Sequence, residues 1–136
     1  MYKLHYRIIH MDKVQHFEIP YDDKERAKKF YSEVFGWNIQ DIPEMNYTFV
    51  HTVETSEDGM PKEAAAINGG LMPRDETGKT PVIVVTVTSV EDYEKKITEA
   101  GGSVVMPRMQ VGDMGIYSRV KDSEGNIIGI WQSLKE

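Results

Sequence analysis

The sequence predicts an α+β fold made of two tandem copies of one plan, a strand, a helix and three more strands (βαβββ). The mixed sheets of the two modules are expected to enclose a central cavity, with one helix per module on the outside. Three observations predict this. The stretch HFEIPYDDKERAKKFYSEVFGW, residues 16–37, reads as a strand, a capped helix and the start of a second strand. A second helix signature, opened by Ser89 and closed by Gly101-Gly102, follows a β-branched run. The two halves register under one shift: Asp23 to Ser89, Gly36 to Gly102 and His16 to Val82 are each 66 positions apart, and such internal repetition is a structural signal in itself.

Residues 1–10, MYKLHYRIIH, carry Tyr2, Leu4, Tyr6 and Ile8 in alternation. They are read as an N-terminal extension that adds little to folding. The single domain is placed at 11–136, with modules at about 14–72 and 81–133. On the first strand, Phe17 and Ile19 point one way and His16 and Glu18 the other. Asp22 with Glu25 three residues on forms a capping box. Ala27, Phe30, Tyr31, Val34 and Phe35 recur at helical spacing as one apolar stripe, which is expected to bury Phe17 and Ile19. Gly36 can take the left-handed conformation that stops the helix. Strands are then predicted over 37–42, 47–54 and 65–72, the last holding the pair Gly69-Gly70. Glycine inside a strand marks a close approach of another group. The linker PRDETGKTP leads to a strand at 81–87 and a helix with Val90, Tyr93, Ile97 and Ala100 inward. Strands at 103–109, 115–121 and 127–133 complete the chain, the last two joined by the turn Asp122 to Asn126.

Composition narrows the functions. The chain has 136 residues, no cysteine and a net charge of −6. Thiolate zinc sites, cysteine nucleophiles and disulfides are excluded. An acidic chain lacks the basic face that phosphate backbones require, so nucleic acid is not an expected partner. The apolar runs are too short to span a membrane, and the expected location is the cytoplasm. No Gly-rich loop opens a helix in the dinucleotide or phosphate pattern, and no Gly-x-Ser-x-Gly elbow occurs.

Each helix needs one sheet face, which leaves the opposite faces to meet around the cavity. The pattern His16 with Asp23, Phe30-Tyr31, Phe35-Gly36-Trp37, Gly69-Gly70, Ala100-Gly101-Gly102 and Asp122-x-Glu124-Gly125-Asn126 resembles the vicinal-oxygen-chelate superfamily of glyoxalases, bleomycin-resistance proteins and extradiol dioxygenases. The resemblance is closest to its glyoxalase-like members and runs from Val14 onward. It implies a metal held by a histidine on the first strand of a half and an acid on the last. Of those positions His16 is present. Val82, Gly69 or Gly70, and Gly129 stand at the other three. No cofactor is therefore expected, though a divalent metal is possible with rebuilt ligands that include His16. The glycines are expected to open room for a ligand.

The expected function is a glyoxalase-like small-molecule-binding protein with a degenerate metal site. One alternative is a divalent-metal-dependent lyase, isomerase or dioxygenase of the same superfamily. Another is a dimeric interaction module without ligand, favoured if Met and aromatic side chains fill the cavity. His16 and Glu18 are the candidate catalytic residues, set against a satisfied inward histidine and a solvated carboxylate. His51, Tyr47, Met114, Tyr117 and Trp131 are the candidate ligand-binding residues. Arg74 and Arg119 are weighed as anion grips against the commoner solvated arginine. The family resemblance and the open sheet edges also imply a homodimer.

Overall fold

The structure is a computed structural model and describes residues 10–135. Among the described residues there are eight strands and two α-helices. The strands are β1 (Lys13–Tyr21), β2 (Asn38–Ile42), β3 (Tyr47–His51), β4 (Asn68–Pro73), β5 (Val82–Thr86), β6 (Ser103–Val111), β7 (Gly115–Lys121) and β8 (Ile127–Ser133). The helices are α1 (Lys24–Phe35) and α2 (Val90–Glu99). All eight strands form one mixed sheet in the order β2-β3-β4-β1-β5-β8-β7-β6. β1 runs parallel to β4 and β5 parallel to β8, because a helical crossover lies within each half. The halves meet where β1 pairs antiparallel with β5.

That junction fixes the geometry of the centre. His16 pairs with Val84, Phe17 with Ile83 and Glu18 with Val82. The register is unchanged by exchanging residue i for i+66, so the sequence repeat is a near-twofold relation about the Phe17–Ile83 pair. The expected extension at residues 1–10 lies outside the described residues except for His10, whose Nε2 is 2.9 Å from Asp12 Oδ1.

Both helices begin and end for local reasons. Asp23, not Asp22, caps α1: its carboxylate accepts from the Arg26 amide at 3.0 Å. Asp22 instead accepts from Arg74 Nε at 2.9 Å, which takes Arg74 out of the anion-grip role. Gly36 closes the helix at φ 73°, a left-handed conformation that glycine adopts without strain. Ser89 caps α2 by accepting from the Asp92 amide at 3.1 Å.

The two helices are buried unequally. α2 sets Val90, Tyr93 and Ile97 against Val87, Val120 and Ile130, the apolar core of the second half. Fully burying a side chain such as Val90 contributes about 1.5–3 kcal/mol. α1 was expected to bury a whole stripe and does not. Its Tyr31 stacks on Trp37 at 5.2 Å, and Trp37 meets Phe17 at 5.9 Å. Phe30, Val34 and Phe35 stay more than half exposed. The helix is tied to the sheet by that aromatic bridge and by Lys28, whose Nζ donates to Asp41 of β2 at 2.7 Å, and the rest of its stripe faces outward. Val14 and Ile83, on the joined central strands, are exposed as well.

Candidate functional site

Residues opposite one another in a ladder project from the same face of a sheet. The registers therefore place His16 and Glu18 (β1), Gly70 (β4), Tyr47, Phe49 and His51 (β3), Val82 and Val84 (β5), Gly129 and Trp131 (β8) and Tyr117 and Arg119 (β7) on the face away from the helices. Chemistry gathers around Glu18, which is only 6% exposed.

Three side chains converge on its carboxylate. Tyr47 donates to Oε2 at 3.0 Å, Tyr117 to Oε1 at 2.5 Å, and Arg119 Nη2 to Oε1 at 2.6 Å. Arg119 is 4% exposed, so the expectation of a solvated arginine is overturned. Its Nε donates to the Tyr117 hydroxyl at 3.0 Å and its Nη1 to Thr77 Oγ1 at 2.9 Å. A buried carboxylate is tolerated when it is paired and hydrogen-bonded in this way. Glu18 is accordingly not the solvated strand-end acid that its position suggests.

Proton directions follow from counting donors. A tyrosine hydroxyl has one proton. Tyr47 gives its proton to Glu18, so towards His16, 2.9 Å away at Nε2, it acts as acceptor. His16 then carries its proton on Nε2 and keeps a lone pair on Nδ1. Burial lowers the His16 pKa, opposed by the nearby Glu18 charge. Burial, reinforced by Glu18, raises both tyrosine pKa values. Burial works against the Arg119 charge, but Tyr117 and Glu18 outweigh it and raise its pKa. Both tyrosine hydroxyls and Arg119 Nη2 donate inward to Glu18.

The glycines have a use other than the one expected. A Cβ on Gly70 would fall on the Tyr47 hydroxyl, and one on Gly129 would lie 2.5 Å from the Tyr117 hydroxyl. Gly70 pairs with Phe49 and Gly129 with Arg119, so each tyrosine stands two residues before its glycine's partner. The two Tyr–Gly pairs are equivalents under the near-twofold relation. The space cleared by glycine is filled by the protein's own tyrosines and not left open for a ligand. At Gly69 a Cβ would strike Phe17 on the other face.

A divalent ion does not fit this centre. Glu18 is the buried acid of the centre, both its oxygens are engaged, and a guanidinium already lies against it, with Asp75 on the guanidinium's outer side at 3.8 Å. Among the described residues no group of three His, Cys, Asp or Glu could hold a metal. His51 does not join His16, since Phe49 stands between His51 and Tyr47, its ring stacked on His51 at 6.3 Å and set edge-on to Tyr47 at 4.9 Å.

The open space lies to one side. A cleft of about 700 Å³ is lined by Asn38, Gln40, His51, Thr52, Glu54 and Lys62, among others. Asn38 faces His51 and Gln40 faces Phe49 across β2 and β3, so the cleft continues the same face to the sheet edge. Buried Asn68, the register partner of His16, holds the covering loop: it accepts from the Thr52 amide at 2.8 Å and donates to Thr55 Oγ1 at 3.0 Å. Trp131 pairs with Tyr117 and packs against Gly115. Met114 is exposed at the β6–β7 turn, about 10 Å along the strand from Tyr117, and takes no part in the cluster. A further hollow of about 420 Å³ lies between α2 and β6, where Arg108 is already paired with Glu94 at 2.5 Å. Sequence reasoning weighed Arg119 as a grip for an anionic ligand or a solvated side chain, not as the partner of Glu18, and it missed Asn38, Gln40 and Asn68. The alternation that puts Arg119 on the face of Tyr117 was the available signal.

Comparison with known proteins gives a consistent pattern. Residues 13–53 match the family described as bleomycin resistance protein-like N-terminal. A putative glyoxylase, CFP32, of Mycobacterium tuberculosis (strain CDC 1551 / Oshkosh) is 32% identical over 113 residues, covering 82% of this chain and 42% of the relative. The chain thus spans about two-fifths of the length of the curated relatives it matches. Among solved structures, a glyoxalase/bleomycin resistance protein/dioxygenase superfamily member from Vibrio splendidus 12B01 is similar at TM-score 0.58 and 12% identity, over 90% of this chain and 100% of that one. Methylmalonyl-CoA epimerase from Mycobacterium tuberculosis is similar at TM-score 0.58 and 13% identity, over 95% of both chains. At those identities the solved structures speak for the fold alone.

Proposed function

Since the chain belongs to the vicinal-oxygen-chelate superfamily, as a glyoxalase-like member, we propose that it binds a small molecule without the help of a metal ion. The observation that carries this reading is the Glu18–Arg119 ion pair, capped by Tyr47 and Tyr117, which fills the centre beside His16, the retained one of the positions that the family resemblance implies for a metal. The ligand is assigned to the cleft beside His51. Its lining offers the His51 ring, backed by Phe49 stacked on it, and the amides of Asn38 and Gln40. A small ligand with a planar group and hydrogen-bonding groups suits that lining. His16, with a lone pair on Nδ1, is the group of the centre best equipped to take a proton; Glu18 has both oxygens engaged by donors, is paired with Arg119 and positions the tyrosines.

A second reading, a dimeric interaction module without ligand, draws on two observations: the filled centre and the exposed stripe of Phe30, Val34 and Phe35. The open cleft favours the first. A second copy against the exposed Val14 and Ile83 is compatible with either, and a cytoplasmic location is proposed with both.

The test is a thermal-shift and ligand-observed NMR screen of small aromatic and heteroaromatic compounds. Hits should lose binding at least tenfold in His51→Ala and Gln40→Ala. Hits that bind those variants unchanged, or a screen without hits, would count for the interaction module.

A further inference from the structure

We propose that the Arg119 guanidinium is the resident cation of this centre, taking the place and the charge role of the divalent ion that the fold would otherwise hold. The proposal rests on the metal-independent reading and goes beyond it by naming what replaced the metal. Three observations carry it. First, position: Arg119 pairs with Gly129, which is the near-twofold mate of Gly70, and Gly70 pairs with Glu18. The guanidinium therefore comes from the second half and the carboxylate from the first, as ligands from both halves would meet on a metal. Second, charge: the mate of Glu18 is Val84 and the mate of Arg119 is Phe49. The centre thus holds one buried acid and one buried cation, with side chains 8% and 4% exposed, and the exposed Asp75 carboxylate stands at its rim, 3.8 Å from Arg119 Nη1. A divalent ion bonded to Glu18 would place a second cation beside the first, in surroundings too poor in water to screen them. Third, saturation: Arg119 donates to Glu18, Tyr117 and Thr77, as a metal would gather oxygen ligands. The linker turn is closed over it, since a Cβ at Gly78 would lie 2.6 Å from Nη1.

It follows that a metal site is latent here and that Arg119 blocks it. The Glu18 carboxylate and the hydroxyls of Tyr47 and Tyr117 already converge, and His16 Nε2 joins them as a donor once its proton moves to Nδ1. Removing the guanidinium leaves a buried carboxylate without its counter-charge, and a cation that binds only the folded state then stabilises that state.

The experiment titrates zinc chloride into untagged protein by calorimetry and follows the melting midpoint in parallel. Wild type should show no saturable uptake and no shift. Arg119→Ala should take up one equivalent and rise by several degrees, and Glu18→Gln/Arg119→Ala should lose both responses. A folded Arg119→Ala that ignores zinc, or a double variant that still binds it, overturns the surrogate role and leaves the metal-independent reading standing. One equivalent bound to wild type and lost in His16→Ala overturns both. If Arg119→Ala does not fold unaided, it is refolded with and without zinc: recovery of a cooperative melt only with zinc supports the proposal, and failure in both conditions counts against it.

Discussion

Gly70→Ala puts a methyl group where the Tyr47 hydroxyl now sits. The added carbon would lie 2.6 Å from Tyr47 Cε2 and closer still to the ring carbon bearing the hydroxyl and to the hydroxyl itself. Tyr47 cannot simply swing away, because it is held at 2.9 Å to His16 and 3.0 Å to Glu18. Forcing one methyl into a packed site costs about 1–3 kcal/mol. Breaking the bond to the charged Glu18 adds about 1.5–3 kcal/mol. Since the second loss occurs only if the ring moves to relieve the first, a total of about 2–4 kcal/mol is expected. At roughly 3–5 °C per kcal/mol for a domain of this size, the midpoint should fall by about 6–20 °C. The decisive assay is a double-mutant cycle with Tyr47→Phe, read by urea denaturation. Tyr47→Phe alone should destabilise, because Glu18 loses a donor. In the Gly70→Ala background the same change removes the clashing oxygen, so it should cost at least about 1 kcal/mol less. Additive effects, or a Gly70→Ala variant within about 0.5 kcal/mol of wild type, would show that Tyr47 does not occupy the space the glycine clears.

The near-twofold relation extends this to Gly129→Ala with Tyr117→Phe, which should show the same sign of coupling. His16 has a lowered pKa in the folded state, so the unfolded chain binds its proton first. Stability should be complete above about pH 6.5 and decline as pH falls from there towards the lower folded value. Urea midpoints at several pH values should show this decline, and His16→Gln should flatten it; equal slopes in the two proteins would refute the assignment. Light scattering at micromolar concentration should give about twice the 15.6 kDa chain mass, and Ile83→Lys should return a monomer. A monomeric wild type would contradict pairing through the exposed central strands.

The fold was legible because its signals are local. Strand β1 shows as alternation, α1 as a 3.6-residue stripe with Gly36 at its end, and the turn at Asp122 shows in a carboxylate that accepts from the amides of Glu124 and Asn126. The repeat was legible because one shift aligns caps and stops in both halves. What failed was whatever depends on a third partner. Periodicity marks Phe30, Val34 and Phe35 as one stripe but is silent on what covers it. Adjacent aspartates at 22 and 23 compete for one cap, and Asp22 is drawn off by Arg74, 52 residues away in sequence. Gly70 and Gly129 were legible as places of close approach, yet the approaching group comes from a neighbouring strand whose register the sequence does not state. Arg119 was the largest loss. On a strand of its own it resembles any surface arginine, and only the β1–β5 junction brings Glu18 to it. His51 was assigned to the right face, but Phe49 separates it from His16, a matter of ring packing that strand alternation cannot convey.

The central claim is that the heart of the sheet works without a metal ion. Elemental analysis of protein purified without a histidine tag, with melting followed before and after a chelator, tests it most directly. Well under one equivalent of zinc, nickel, iron or manganese is expected, with an unchanged midpoint, since a metal bound only to the folded state would have raised it. Near-stoichiometric metal that disappears in His16→Ala, with a midpoint that drops on chelation, would contradict the claim and restore a metal-dependent enzyme with rebuilt ligands.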